Sequence, residues 1–124
     1  MHNFRELKIW KEAMEITKTT YQFTKQFPNH ELYGLGSQIN RAAVSIPSNI
    51  AEGAGRKGNN EFTQFLNIAM GSCFELETQL ILAIDLGYIH KDKSETLIIH
   101  LQQLERMING LISNLRNKSL ISNI

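Results

Sequence analysis

Cysteine occurs once in the 124 residues, as Cys73, so the chain cannot close a disulfide on itself. That excludes a disulfide-stapled secreted scaffold and fits a reducing compartment. Proline occurs only twice, at Pro28 and Pro47, so little interrupts a helix. No run approaches the roughly 20 uninterrupted apolar residues that span a bilayer. The opening MHNFRELKIWKEAMEITK breaks every apolar run with a charge and reads as neither signal peptide nor anchor. The expectation is a cytoplasmic protein with no membrane segment. Lys and Arg are missing from residues 59–90, which hold the acids Glu61, Glu75, Glu77 and Asp85. The flanks are basic, with eight Lys/Arg against five acids over 1–58 and five against three over 91–124. The net charge of +1 argues against a strongly basic nucleic-acid protein. Alternating acidic and basic segments suit charge pairing between helices or between subunits.

Catalytic and metal-binding patterns are missing too. His2, His30, His90 and His100 are widely spaced, without the intervals of metal ligands, and three of them fall at helix ends or turns. Cys73 lies on an apolar stripe with no histidine three or four residues away, which predicts a buried, inert thiol. No Ser/His/Asp grouping can be assembled, and the Glu-x-x-His pairs of di-iron bundles do not occur. Gly53-Ala54-Gly55-Arg56-Lys57-Gly58 matches G-x-G-x-x-G, but a helix, not a strand, precedes it, so it reads as a helix stop and loop. A phosphate held by Arg56, Lys57 and the free amides of the next helix is the sharper alternative there. The expectation is no enzyme, no cofactor and no metal.

What the sequence does have, nearly throughout, is apolar residues at steps of three and four, the helical period. The first helix opens at Asn3, with Glu6 completing a capping box, and ends at Pro28. It carries one stripe of Leu7, Trp10, Met14, Thr17, Tyr21 and Thr24 and a second of Ile9, Ala13, Ile16, Phe23 and Phe27. The second helix buries Leu35, Ile39, Ala42, Ile46 and Ile50, and Pro47 predicts a kink or restart near Ile46, with Ser45 and Ser48 bonding the freed backbone. The third runs from about Asn59 to Leu86 on a seam of Phe62, Leu66, Ala69, Cys73, Leu76, Leu80 and Ala83. The fourth opens on a capping box of Asp92 and Glu95, with a seam of Leu97, Leu101, Leu104, Ile108, Leu111 and Leu115. Short connections make an antiparallel up-down-up-down four-helix bundle over residues 1–118, with 119–124 a frayed tail.

One bundle covers one stripe per helix. Ile9, Ile16 and Phe23 on the first helix and Phe65, Ile68 and Leu82 on the third are left over, which predicts a homo-oligomer that buries them. Arg41 is the only cation in the middle of the second helix, and Glu75 and Glu77 stand among apolar residues, so a structural ion pair from Arg41 to one of them is expected. A paired-carboxylate acid/base site is the alternative for those glutamates. Arg5, Lys8, Lys11, Lys18 and Lys25, with Arg56 and Lys57, are candidates for binding RNA or DNA weakly and without sequence preference; a solvated helix face is the alternative.

Two strings carry a resemblance. Phe27-Pro28-Asn29-His30-Glu31-Leu32-Tyr33-Gly34-Leu35 leads into Gln38-Ile39-Asn40-Arg41-Ala42-Ala43-Val44-Ser45-Ile46-Pro47-Ser48-Asn49-Ile50-Ala51-Glu52-Gly53, and Gly71-Ser72 precedes Glu75-Leu76-Glu77-Thr78-Gln79-Leu80. With Leu7, Trp10, Ala13 and Leu86-Gly87-Tyr88, this resembles the 23S rRNA intervening-sequence proteins over nearly the whole chain. The resemblance implies a small bacterial four-helix bundle, often encoded in inserts of large-subunit rRNA genes and forming a ring of five. A related branch, the accessory proteins of diversity-generating retroelements, binds nucleic acid and a reverse transcriptase. Asn40 departs from the family pattern, which usually has a second arginine beside Arg41. Together these expectations describe a non-enzymatic oligomeric scaffold with weak nucleic-acid binding. The alternative is a protein-interaction adaptor whose ring docks a polypeptide partner.

Overall fold

The computed structural model describes the backbone of residues 1–122 and the side chains of 1–118. Of the tail expected to fray, the backbone of 119–122 continues the last helix, and 123–124 lie outside the described residues. Four α-helices carry the fold: α1, Lys8–Thr24; α2, Leu35–Ala54; α3, Asn59–Asp85; and α4, Lys91–Ser122. No strand occurs among the described residues. Each helix packs on the next, α2 most extensively on α3, and α1 meets α4 to close the core. Cross-contacts run in opposite senses along α1 and α2, Thr17 meeting Ala43 and Thr24 meeting Asn40.

The α3 seam is as its period predicts: Phe62, Leu66, Ala69, Cys73, Leu76, Leu80 and Ala83 are all buried. Gly87 stops the helix at φ 77°, a conformation open to glycine at little cost. There the Tyr88 amide donates to the Ala83 carbonyl and the Gly87 amide to that of Ile84, both at 2.9 Å, which satisfies the last turn. On α4, Leu97, Leu101, Leu104, Ile108 and Leu115 are buried, while Ile112 is buried where Leu111 is only half-covered.

On α1 the expected roles of the stripes are exchanged. Ile9, Ala13 and Ile16 face the core with Thr20, Thr24 and Phe27, and Phe23 is half-buried. So Ile9, Ile16 and Phe23 are not free for a subunit interface. Thr20 can sit fully buried on this face because its hydroxyl donates to the Ile16 carbonyl at 2.7 Å, leaving an aliphatic surface. Trp10, Met14 and Thr17 turn instead along the outside of α2.

Neither capping box forms. Asn3 caps a short 3-10 turn, Phe4–Glu6, by accepting from the Arg5 amide at 3.2 Å. Leu7, extended at φ −70° and ψ 127°, separates that turn from α1. Asp92 lies inside α4, which opens at Lys91; it favours the helix dipole rather than capping it. Ser94, buried, donates to the His90 carbonyl at 2.5 Å.

α2 does not restart at Pro47; it is continuous from Leu35 to Ala54. Proline has no amide hydrogen to give the Ala43 carbonyl four residues back. The Thr17 hydroxyl, shared with Ala13, reaches that carbonyl from α1 at 3.1 Å. The Asn49 amide donates to the Ser45 carbonyl at 2.8 Å. The Ser45 hydroxyl bonds Ser72 across the α2–α3 contact at 2.8 Å instead of repairing its own backbone. Near its other end α2 meets α3 at Gly53, where an added Cβ would lie 2.6 Å from Phe65 Cβ and 3.0 Å from the Phe62 ring. The helices approach too closely there for any side chain.

Candidate functional site

Lys8, Lys11, Lys18 and Lys25 follow one another at intervals of three and seven residues, which keeps them on one side of α1. All four are exposed, on the side away from Ile9, Ala13 and Ile16. Lys18 pairs with Glu15 at 3.3 Å, both well exposed, a contact of little energetic weight. Lys8, Lys11 and Lys25 have no ion-pair partner among the described residues. Arg5 lies 5.5 Å from the Phe4 ring. The His2 amide donates to the Ala54 carbonyl at 2.7 Å, and its ring packs 5.1 Å from Phe62. This fastens the N-terminal segment to the end of α2 and brings Arg5 to the end of the bundle that carries Arg56 and Lys57. Arg56 is partly spent: it pairs with Glu52 at 3.2 Å and stacks 4.9 Å over Phe65. The basic residues thus line up from the α2–α3 loop along the outside of α1, a span of roughly 25 Å at 1.5 Å per residue from Lys8 to Lys25.

The expected ion pair from Arg41 to Glu75 or Glu77 does not occur among the described residues. Two residues beyond buried Ile39, Arg41 sits about 200° round the helix and faces outward. Glu75 likewise lies on the outer side of α3, where it accepts from Gln79 at 3.2 Å. It is Ser72, not either glutamate, that meets α2. Glu77 turns to α4, accepting from Gln102 at 3.2 Å and standing against Glu105. Burial first, then the hydrogen bond and charge of Glu77, push the Glu105 carboxyl up to about 7, against the pull of Arg106. Burial and the same two carboxylates push the Cys73 thiol up to about 12, far from the thiolate that reactive cysteines present. A second contact holds α4 to α1, between His100 Nε2 and Glu12 Oε2. Glu105 and His100 escape a reading by sequence because both lie mid-helix beside seam leucines, and what they meet is 28 and 88 residues away. A polar residue beside a seam is the signal that could have found them.

Arg41 instead overlooks an open cleft of about 500 Å³ between α1 and α2. Tyr21, Leu32, Tyr33, Ser37 and Asn40 line it. A smaller recess with Lys25 and Thr24 adjoins it through Tyr21 and Asn40. An apolar recess of about 320 Å³, walled by Trp10, Met14 and Pro47, adjoins it through Val44. The three make one groove along the outside of α1 and α2, containing two cations and no carboxylate. The Glu77–Glu105 pair lines none of these clefts. Among the described residues no three His, Cys, Asp or Glu side chains gather as metal ligands would.

The α2 side of this groove takes in Ser45, Pro47, Ser48 and Ala51 of the most distinctive sequence string, and the family model for 23S rRNA-intervening sequence proteins matches residues 5–110. The chain belongs to that family. The fold is similar to a crystal structure from Bacteroides thetaiotaomicron, described as a protein of unknown function from the S23 ribosomal protein family. The TM-score is 0.78 at 24% identity, over 85% of this chain and 95% of that one. No curated protein matches the chain. No helix among the described residues is long and apolar enough to cross a membrane.

Proposed function

We propose that the protein is a non-catalytic helical scaffold that assembles with copies of itself and holds nucleic acid weakly, without sequence preference, on the outer face of α1. The observation that carries the reading is the lysine row. Lys8, Lys11 and Lys25 stand on the side of α1 away from the core, unpaired among the described residues, and free cations sharing one face suit a phosphate backbone. Membership in a family named for 23S rRNA intervening sequences favours RNA as the polyanion. Self-assembly is supported by α3, where Ile68, Phe74, Ile81, Leu82 and Leu86 are each 45–53% exposed, a patch that soluble monomers seldom leave uncovered. The resemblance favours a ring of five as the form of that assembly. The test is a gel shift with single-stranded RNA and DNA at about 50 mM salt, repeated at about 200 mM. Retardation at the lower salt that fades at the higher, and is lost in Lys8→Glu/Lys11→Glu/Lys25→Glu, is the expected result. No shift of either polymer at low salt sinks the reading.

A further inference from the structure

We propose that the groove between α1 and α2 is the receptor for α3 of a second copy, with Arg41 taking the carboxylate of Glu75. This rests on the oligomeric reading above and names the two faces that meet.

The groove and α3 are complementary in charge. The groove holds Arg41, with no acid in its lining. The outer side of α3 carries Glu61, Glu75 and Asp85, all exposed, in a segment with no Lys or Arg. They are complementary in polarity as well. The groove runs from the polar stretch around Arg41 and Asn40 to the apolar recess of Trp10, Met14 and Pro47. On α3, Glu75 lies between the exposed Ile68 and Leu82. An ion pair can thus form beside buried hydrocarbon, where it is better shielded from water than at an open surface. The lengths agree. Trp10 to Thr24 spans roughly 21 Å of helix, and Ile68 to Leu82 roughly 21 Å. Gly71, one turn before Glu75, leaves open space where a Cβ would project, a low point on α3 that lets another helix come close. The guanidinium of Arg41 offers a planar fork suited to a carboxylate. No ion pair occupies it within the chain among the described residues.

A groove on one face and a ridge on another make the contact heterologous, so each copy both receives and donates. This arrangement closes rings or builds filaments and does not stop at a two-fold dimer. Arg41 and Glu75 are both exposed and outside the core, so substituting them leaves the fold intact; circular dichroism of each variant checks this.

The experiment is light scattering behind size exclusion at micromolar concentration on the full chain, Arg41→Glu, Arg41→Gln, Glu75→Arg and the double exchange Arg41→Glu/Glu75→Arg. The expected result is an oligomer for the unmodified chain and a dissociation constant raised about tenfold or more in each single variant. The double exchange, in which the pair is re-formed with its signs reversed, regains the lost mass. A 14.2 kDa species for the unmodified chain overturns the oligomeric reading and this inference with it. An oligomer that persists unchanged in all three single variants overturns the groove assignment alone. Single variants that dissociate without recovery in the double exchange overturn the pairing with Glu75. Single variants that keep their mass and lose RNA retardation give the groove to nucleic acid, against the proposal.

Discussion

Glu105 sits where α4 meets α3, and a proton on its carboxyl favours the folded chain. Its pKa is about 7 in the fold, raised chiefly by burial and then by Glu77, against 4.5 for an unperturbed carboxyl. A raised acid binds its proton more tightly when folded, so its contribution to stability is full below about pH 4.5 and is lost as pH rises through about 7. Water reaches much of this side chain, so the loss is discounted to about 1 kcal/mol or less. Glu105→Gln keeps the shape and removes the titration. Urea midpoints at pH 5 and pH 8 should fall for the unmodified chain and stay closer together for the variant. Equal falls in both would show that Glu105 is not the group responsible. His100 and Glu12 hold α4 from its other side. The comparison at one position, and not the curve alone, therefore isolates Glu105.

At the scale of the helix, Pro47 shows why a local rule can give the wrong element. A proline at the thirteenth position of a twenty-residue helix predicts a kink or a restart; α2 does not restart, and Thr17 of a different helix supplies a donor for the stranded Ala43 carbonyl. Thr17→Val should cost about 1 kcal/mol, the usual worth of such a bond with some penalty for the orphaned acceptor. Pro47→Ala restores the amide donor within α2, so the valine change should cost less in that background. A double-mutant cycle by urea unfolding reads the coupling; strict additivity would mean that Thr17 does not serve Ala43. The same contrast governs what was legible beforehand. The α3 seam could be read residue by residue, since seven positions at three- and four-residue steps repeat one physical requirement. Gly87 was legible because only the backbone at that point demands it. On α1 the two stripes were equally apolar, and Thr20 looked polar until its hydroxyl was seen to turn back on Ile16. The ion pair from Arg41 to Glu75 or Glu77 is an expectation within one chain that rests on the apolar company of the glutamates, which calls for a partner but not a direction; the helical phase turns Arg41 and Glu75 outward, and Glu77 meets α4. The lysines of α1 and Arg56-Lys57 were legible as exposed cations, while the groove beside them was not, because two helices and the connection at Leu32 and Tyr33 make it together.

For the whole molecule, the proposed binding face and the proposed assembly are linked by salt. The three lysines of the α1 row without an ion pair among the described residues, Lys8, Lys11 and Lys25, give a slope of log affinity against log salt of about −2 for single-stranded nucleic acid, at roughly −0.7 per phosphate contact. An affinity built on so few contacts is weak for one copy. A ring sets several such rows at a fixed spacing, so one strand that spans two or more protomers gains from the high local concentration of the next row. The slope for the assembled protein should then be steeper than −2, by an amount that counts the protomers one strand engages. Ile68→Asp/Leu82→Asp removes the outer apolar contacts of α3 without touching its core seam, so folding stability should change little. That variant should sediment as a smaller species, bind RNA far more weakly at about 150 mM salt, and show a slope near −2. Titrations at several salt concentrations on both proteins decide the matter. If the assembled protein and the variant share one slope and one affinity, each protomer acts alone, and assembly has no part in holding nucleic acid.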